Sequence, residues 1–188
     1  MTPLSVQFDK DNRLIYLMGD IGELDVCEIC YDIITINQLD DKQEEEKKKY
    51  ERKPIKFYIN SYGGNVYEMF ALIDTILNSK TPIHTICTGY VMSAGFLIFI
   101  TGHKRIATSH VTFMIHQISG GAYGKFYDIL NDVEEYDRVN LMIISHICRK
   151  TSIPRDTIKR IWDTKTDYFF DIGEASGYDI VDEVIDCV

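Results

Sequence analysis

IKFYINSYGGNVYEMFALIDTIL, residues 55–77, changes its hydrophobic period halfway along, and that change decides the fold. Ile55, Phe57 and Ile59 alternate with Lys56 and Tyr58, the period of a half-buried strand. From Val66 onward Met69, Phe70, Ile73, Ile76 and Leu77 recur with the period of a helix that has one apolar face. Between the two lies Asn60-Ser61-Tyr62-Gly63-Gly64. Strand, glycine turn and amphipathic helix form the first half of a βαβ unit.

The same alternation runs outward in both directions. Upstream, residues 14–18 read as a strand ending at Gly19-Asp20, and residues 23–39 as a helix. Downstream, Pro82 opens a strand over 83–87 that Gly89 is expected to break, and Ser93 begins a short apolar helix to about Ile100. Strands at 104–107 and 112–116 precede a long helix over 126–150. On that helix Ile129, Val133, Tyr136, Val139 or Asn140, Ile143 and Ile147 are expected to face inward. Pro154 suits the first turn of a further helix ending near Trp162. The pair Phe169-Phe170, a short helix over 173–177 and a strand near Val184 and Ile185 close the chain. This order predicts an α/β fold of right-handed βαβ units with an essentially parallel sheet, and residues 1–188 make a single domain. The mixed-charge run DDKQEEEKKKYERK, residues 40–53, is expected to be a solvated loop, insertion or helix extension without a core face.

Composition removes several function classes. A net charge of −9 argues against nucleic acid or an anionic membrane as the main partner. No apolar run has the length of a membrane span, and MTPLSVQFDKDNR lacks the pattern of a secretory signal. Five cysteines (Cys27, Cys30, Cys87, Cys148 and Cys187) are an odd number in a chain that needs no staples, so free thiols in a reducing cytoplasm are expected. Cys27 and Cys30 have thiol-redox spacing but fall inside a helical pattern with no second pair. His103 with His110, and His146 with Cys148, lack a ligand set, and no dinucleotide fingerprint is present, so no metal or cofactor is expected.

The remaining chemistry converges on three residues. Ser93 lies in GYVMSAG, His116 in FMIHQ and Asp167 in TKTDYFF. A serine hydroxyl is a poor nucleophile without a base beside it, and the base needs an acceptor to fix its tautomer. Taken singly, each has a plain reading: a helix-capping serine, a strand-end histidine and a turn aspartate. The loop Ser61-Tyr62-Gly63-Gly64 lets backbone approach a ligand closely, but no Gly-Lys-Ser/Thr follows to make it a phosphate loop. It suits an oxyanion hole, with one N–H from Gly64 and one from Ala94.

Four segments in order, FYINSYGGNVYE, TICTGYVMSAGFL, FMIHQISGGAYG and TDYFFDIGEASGYDIVDEVI, resemble the caseinolytic Clp protease proteolytic subunit, the ClpP family, over residues 14–186. The resemblance implies a ClpP/crotonase-like spiral of β-α-β units with a protruding helix-strand handle over residues 118–150. It implies a serine endopeptidase in which Ser93 is the nucleophile, His116 the general base and Asp167 the orienting acid. Gly64 and Ala94 would supply the oxyanion hole, and Gly63, Gly120, Gly121 and Ala122 would contact an extended polypeptide substrate. The family assembles as heptameric rings, stacked in pairs around a chamber, and is fed by a Clp-type AAA+ unfoldase. About 13 residues are expected ahead of the first strand. Family members usually carry a longer segment there, which lines the axial pore and touches the ATPase. A shortened segment is expected to weaken unfoldase docking. Tyr62 and Ile118 stand where the family usually has proline, and Thr166 where many members have arginine. Two other readings stay open on the residues alone: a catalytically silent ring subunit, and a crotonase-type acyl-CoA enzyme that uses the glycine N–H pair without Ser93 and His116.

Overall fold

The structure is a computed structural model and describes residues 6–9 and 12–186. In chain order its elements are β1 (Val6–Asp9), β2 (Leu14–Ile21), α1 (Glu23–Glu46), β3 (Ile55–Gly64), α2 (Val66–Asn78), β4 (Ile83–Met92) and α3 (Ala94–Phe99). There follow β5 (Lys104–Thr108), β6 (Thr112–Ile115), α4 (Phe126–Lys150), α5 (Arg155–Thr164), β7 (Tyr168–Phe170), α6 (Ile172–Gly177) and β8 (Glu183–Ile185). The fifth cysteine, Cys187, lies outside the described residues.

The strands form one sheet in the order β1-β2-β3-β4-β5-β8, with β6 branching from β4 and β7 from β6. Along the path β2-β3-β4-β5-β8 every pairing is parallel, as alternating strands and helices require. Two pairings are antiparallel and were not anticipated. β1 folds back on β2 in a hairpin, so a strand precedes the one expected to be first. β7 runs antiparallel to β6, with Ile115 opposite Tyr168.

β4 does not stop at Gly89. It pairs with β5 up to Cys87 and with β6 from Tyr90 to Met92, so one strand serves two partners in turn. Two extra residues accumulate on β4 at this change: Ile59 faces Cys87, while Ser61 faces Val91. Gly89 marks the bulge because a Cβ there would lie 2.5 Å from Asn60 Oδ1, the atom that accepts a 2.8 Å bond from Tyr90 N–H.

The core lies between the sheet and its helices, with α3 at its centre. AGFLIF is apolar on every side, and all six residues of α3 are buried. Phe96 packs edge-on against Phe113 of β6 and face-on against Phe170 of β7, which ties α3 to both strands. The position after β4 is therefore fixed by the most deeply buried helix of the fold.

Two expectations about helices need correction. The run 40–53 extends the helix as far as Glu46 and is an irregular, largely exposed segment from 47 to 53, but it is not without a buried residue. Asp40 is fully buried. Arg13 donates to both its carboxylate oxygens at 2.8 and 2.5 Å, Tyr50 Oη at 2.5 Å and Thr81 Oγ1 at 2.7 Å. Arg52 in turn bonds Asp41 and Glu44, so the charges order the segment by pairing with one another. On α4, Ile129 and Val133 are exposed rather than inward, because the first half of this helix projects beyond the body; burial begins at Val139. The glycine-rich stretch before it, residues 118–124, is irregular and forms no strand pairing. Among the described residues no helix is long and apolar enough to cross a membrane.

The Asp40 cluster makes a stability prediction. Burial pushes this carboxyl's pKa up, but the hydrogen bonds from Arg13, Tyr50 and Thr81 outweigh it and hold the pKa down at about 2. A carboxyl depressed in the folded state stabilises above its unfolded pKa of about 3.9, and the contribution disappears as pH falls towards 2. Asp40→Asn is expected to lose about 2–3 kcal/mol near pH 7, the contribution of a carboxyl whose pKa falls from about 3.9 to about 2 on folding. In urea unfolding the gap to the wild type should shrink between about pH 5 and pH 2. A gap independent of pH would contradict the charge-based account.

Candidate active site

β3 ends in Gly63-Gly64 and β4 ends at Met92, and the two strand ends meet. A Cβ on Gly63 would lie 2.8 Å from Ser93 Cβ and 3.2 Å from Ala94 N. No side chain fits there. Gly63 has φ +115° and Gly64 φ +152°, where glycine alone is comfortable, and a Cβ on Gly64 would strike Ile21 O at 2.4 Å. The absence of both side chains lets the next turn come close.

That turn puts Ser93 at φ 51° and ψ −123°, a strained conformation for a residue with a Cβ. Its N–H donates to Met114 O of β6 at 2.9 Å, and its C=O accepts from Leu97 N–H at 3.3 Å in α3. The backbone is thus held from both sides, which is how a costly conformation persists. The side chain makes no helix-capping bond. The plain reading of Ser93 as a cap is not what the turn serves.

The hydroxyl faces His116 instead, with Ser93 Oγ 2.7 Å from His116 Nε2. Asp167 completes the line: its Oδ1 lies 3.6 Å from His116 Nδ1. The unexpected antiparallel pair explains this meeting. Ile115 is registered with Tyr168, so the next positions, His116 and Asp167, fall opposite each other. In the tautomer with hydrogen on Nδ1, Nε2 is free to accept the serine proton. The Asp167 contact is longer than a hydrogen bond, and its side chain is 56% exposed. The Ser–His half of the set is closed and the His–Asp half is open.

Gly64, Ser93, Ala94 and His116 line one cleft of about 240 Å³. Ala94 is the first residue of α3, where backbone N–H groups have no partner within the helix. The cleft runs from this polar end to an apolar wall of Met69, Leu97, Ile118, Ile143, Ile147 and Trp162. Sequence periodicity placed Ile143 and Ile147 on the inner face of α4 but carried no sign that they meet Trp162 of α5 around a cavity. The other expected substrate contacts lie off the cleft. Gly63 supports the serine turn from behind, Gly120 is exposed beside the ring of Tyr136, Gly121 C=O accepts from Tyr136 Oη at 2.9 Å, and Ala122 is half-buried.

The remaining candidates stay apart from this site. Cys27 and Cys30 sit on α1, and burial pushes the Cys30 thiol pKa up, opposite to a reactive thiolate. Burial pushes Cys87 up to about 12. His146 is buried against Thr101 Oγ1 at 2.9 Å, and desolvation holds its pKa at about 4, so it packs as a neutral ring.

The chain is similar to known proteins over most of its length. The family profile described as Clp protease matches residues 10–187. The ATP-dependent Clp protease proteolytic subunit 2 of Parasynechococcus marenigrum (strain WH8102) is 37% identical over 136 residues, covering 71% of this chain and 68% of that protein. The ATP-dependent Clp protease proteolytic subunit of Pleurastrum terricola is 33% identical over 174 residues, covering 92% of this chain and 83% of that protein.

The close approach of β3 to the serine turn predicts an asymmetry among glycines. Gly63→Ala should cost about 2 kcal/mol or more, because a positive φ and a clash with Ser93 Cβ are added together. Gly177→Ala, where nothing lies within 4 Å of the new Cβ, should be neutral or slightly stabilising. Equal denaturation midpoints for the two variants would contradict the packing described.

Proposed function

The chain belongs to the Clp protease family, and on that premise we propose that it is a serine endopeptidase subunit in which Ser93 is the nucleophile. The observation that carries this reading is the 2.7 Å contact between Ser93 Oγ and His116 Nε2 at the polar end of an apolar cleft. His116 takes the hydroxyl proton as Ser93 Oγ attacks the carbonyl carbon of a peptide bond. The negative charge that develops on the carbonyl oxygen is met by the N–H groups of Gly64 and Ala94. His116 then delivers its proton to the leaving amine, and water, activated by the same ring, releases the acyl group. Asp167 orients the imidazole and stabilises its protonated form, and needs only a small movement to reach bonding distance. No metal or cofactor enters these steps.

The cleft speaks for the kind of residue that flanks the cut. Its deep wall is apolar, and an apolar side chain next to the scissile bond would bury there. The exposed glycine-rich stretch 118–124 offers backbone rather than side chains, which suits an extended substrate of varied sequence, with Gly120, Gly121 and Ala122 as the contacts.

The relatives are named as subunits and as ATP-dependent. We assign this chain to a homo-oligomer of heptameric rings, with a Clp-type AAA+ unfoldase as the partner that delivers polypeptide. Supporting the oligomer, α4 exposes Phe126, Tyr127, Leu130 and Val133, an apolar surface that the described residues leave uncovered. The free thiols of Cys27, Cys30, Cys87 and Cys148 fit a cytoplasmic location.

Cleavage of short unstructured peptides by the purified oligomer tests the reading. Ser93→Ala is expected to abolish turnover and His116→Ala to reduce kcat at least about a thousandfold. Asp167→Asn should cost less than His116→Ala, because this carboxylate is exposed and stands off the ring. Peptides with an apolar residue before the cut should exceed their charged counterparts in kcat/KM by about tenfold or more. Turnover unchanged in Ser93→Ala would end the proposal.

A further inference from the structure

One side-chain oxygen joins the three elements that meet behind the cleft. Asn140 of α4 accepts the N–H of Ile118 at 2.9 Å and the indole Nε1–H of Trp162 at 3.0 Å through the same Oδ1. Both partners are obligate donors, so the amide has to present its oxygen, and its two lone pairs are both used. Ile118 is two residues beyond His116, and Trp162 is five residues before Asp167. Ile118 and Trp162 also line the cleft. At Ile118 the N–H that Asn140 uses exists only because the residue is not proline. One turn earlier on α4, Tyr136 Oη holds Gly121 C=O at 2.9 Å, so the segment after the base is fastened to α4 at two points.

We infer that Asn140 is a positioning residue for the proposed peptidase site: its carbonyl sets the segment after His116 against the end of α5, and thereby sets both the His116–Asp167 approach and the Trp162 wall of the cleft. β6 ends at Ile115 and β7 starts at Tyr168, so beyond the last ladder pair no backbone bond between these strands controls how His116 meets Asp167. α5 ends at Thr164 with Lys165 in a left-handed conformation, and Asp167 follows after Thr166. Trp162, 8% exposed, is the last large anchor before that turn. Fixing its indole fixes where the turn begins. Loss of the Asn140 acceptor would strand two donors in a half-buried place, and the two segments would then drift independently.

The inference rests on the peptidase reading, and the experiment separates the two. Wild type, Ser93→Ala, Asn140→Leu, Asn140→Asp and Trp162→Phe are compared as assembled oligomers, with an unstructured peptide carrying an apolar residue before the cut. Asn140→Leu, similar in size but unable to accept, is expected to lower kcat about tenfold or more with KM changed less than about threefold. Asn140→Asp keeps an acceptor oxygen and should restore kcat to within about threefold of the wild type. Trp162 is the only tryptophan in the sequence, so intrinsic emission reports this site alone. Its emission should shift to the red in Asn140→Leu and not in Asn140→Asp. Wild-type kcat in Asn140→Leu, or equal losses in the leucine and aspartate variants, would overturn the inference while Ser93-dependent cleavage still stood. Should Asn140→Leu not assemble, Trp162→Phe decides, since it removes one donor and keeps an apolar ring: an unchanged kcat overturns the inference and a lowered one supports it. If the wild type and Ser93→Ala cleave alike, the peptidase reading itself has failed.

Discussion

The approach of Gly63 to the Ser93 turn is the contact on which the rest depends. Ser93 adopts a backbone conformation that most residues avoid, and it does so because β3 ends in two glycines that leave space beside it. Remove that space and the turn, the start of α3 and the direction of the hydroxyl all change together. The turn is also anchored downstream. α3 is buried on every side, and its phenylalanines interlock with β6 and β7, the strands that lead to His116 and from Asp167. Strain at one residue is thus balanced by packing over a whole helix.

Register does the remaining work. The Ser93 N–H bonds directly to β6, and the antiparallel β6–β7 pair brings the base and the acid to opposite positions. The three side chains come from three separate segments, yet each is placed by a backbone ladder rather than by a chance of loop structure. Where the ladder stops, the geometry loosens: Ser93 and His116 are in contact, while Asp167 stands off and faces solvent. That half-open state gives the residues behind the ladder, Asn140 among them, something to control.

Much of the fold could be read from the chain because most of its elements bury one face. The strand at 55–59 and the helix from Val66 follow from periodicity, and the segment after Ser93 from its unbroken apolar run. The failures have physical causes. β2 and β6 are legible as strands, but their antiparallel partners β1 and β7, of four and three residues, carry too few alternations to stand out. Gly89 looks like a strand end because glycine usually is one, whereas here it makes room for Asn60 within a bulge. Asp40 looks solvated because its neighbours in sequence are charged, whereas its partners Arg13 and Thr81 come from elsewhere in the chain and Tyr50 from the far end of the same run. At the site, Ser93, His116 and Asp167 could be proposed from sequence context. Trp162 and Asn140 could not, since what matters about them is the elements they join.

The central claim is that the strained turn makes Ser93 a nucleophile that His116 activates. Treating the assembled protein with a fluorophosphonate and locating the adduct by peptide mass mapping tests it most directly. The account predicts a single modified residue, Ser93, with labelling strongly slowed in His116→Ala although the protein stays assembled. No adduct on Ser93 in an assembled, peptide-cleaving oligomer, or labelling as fast without His116 as with it, would contradict the claim.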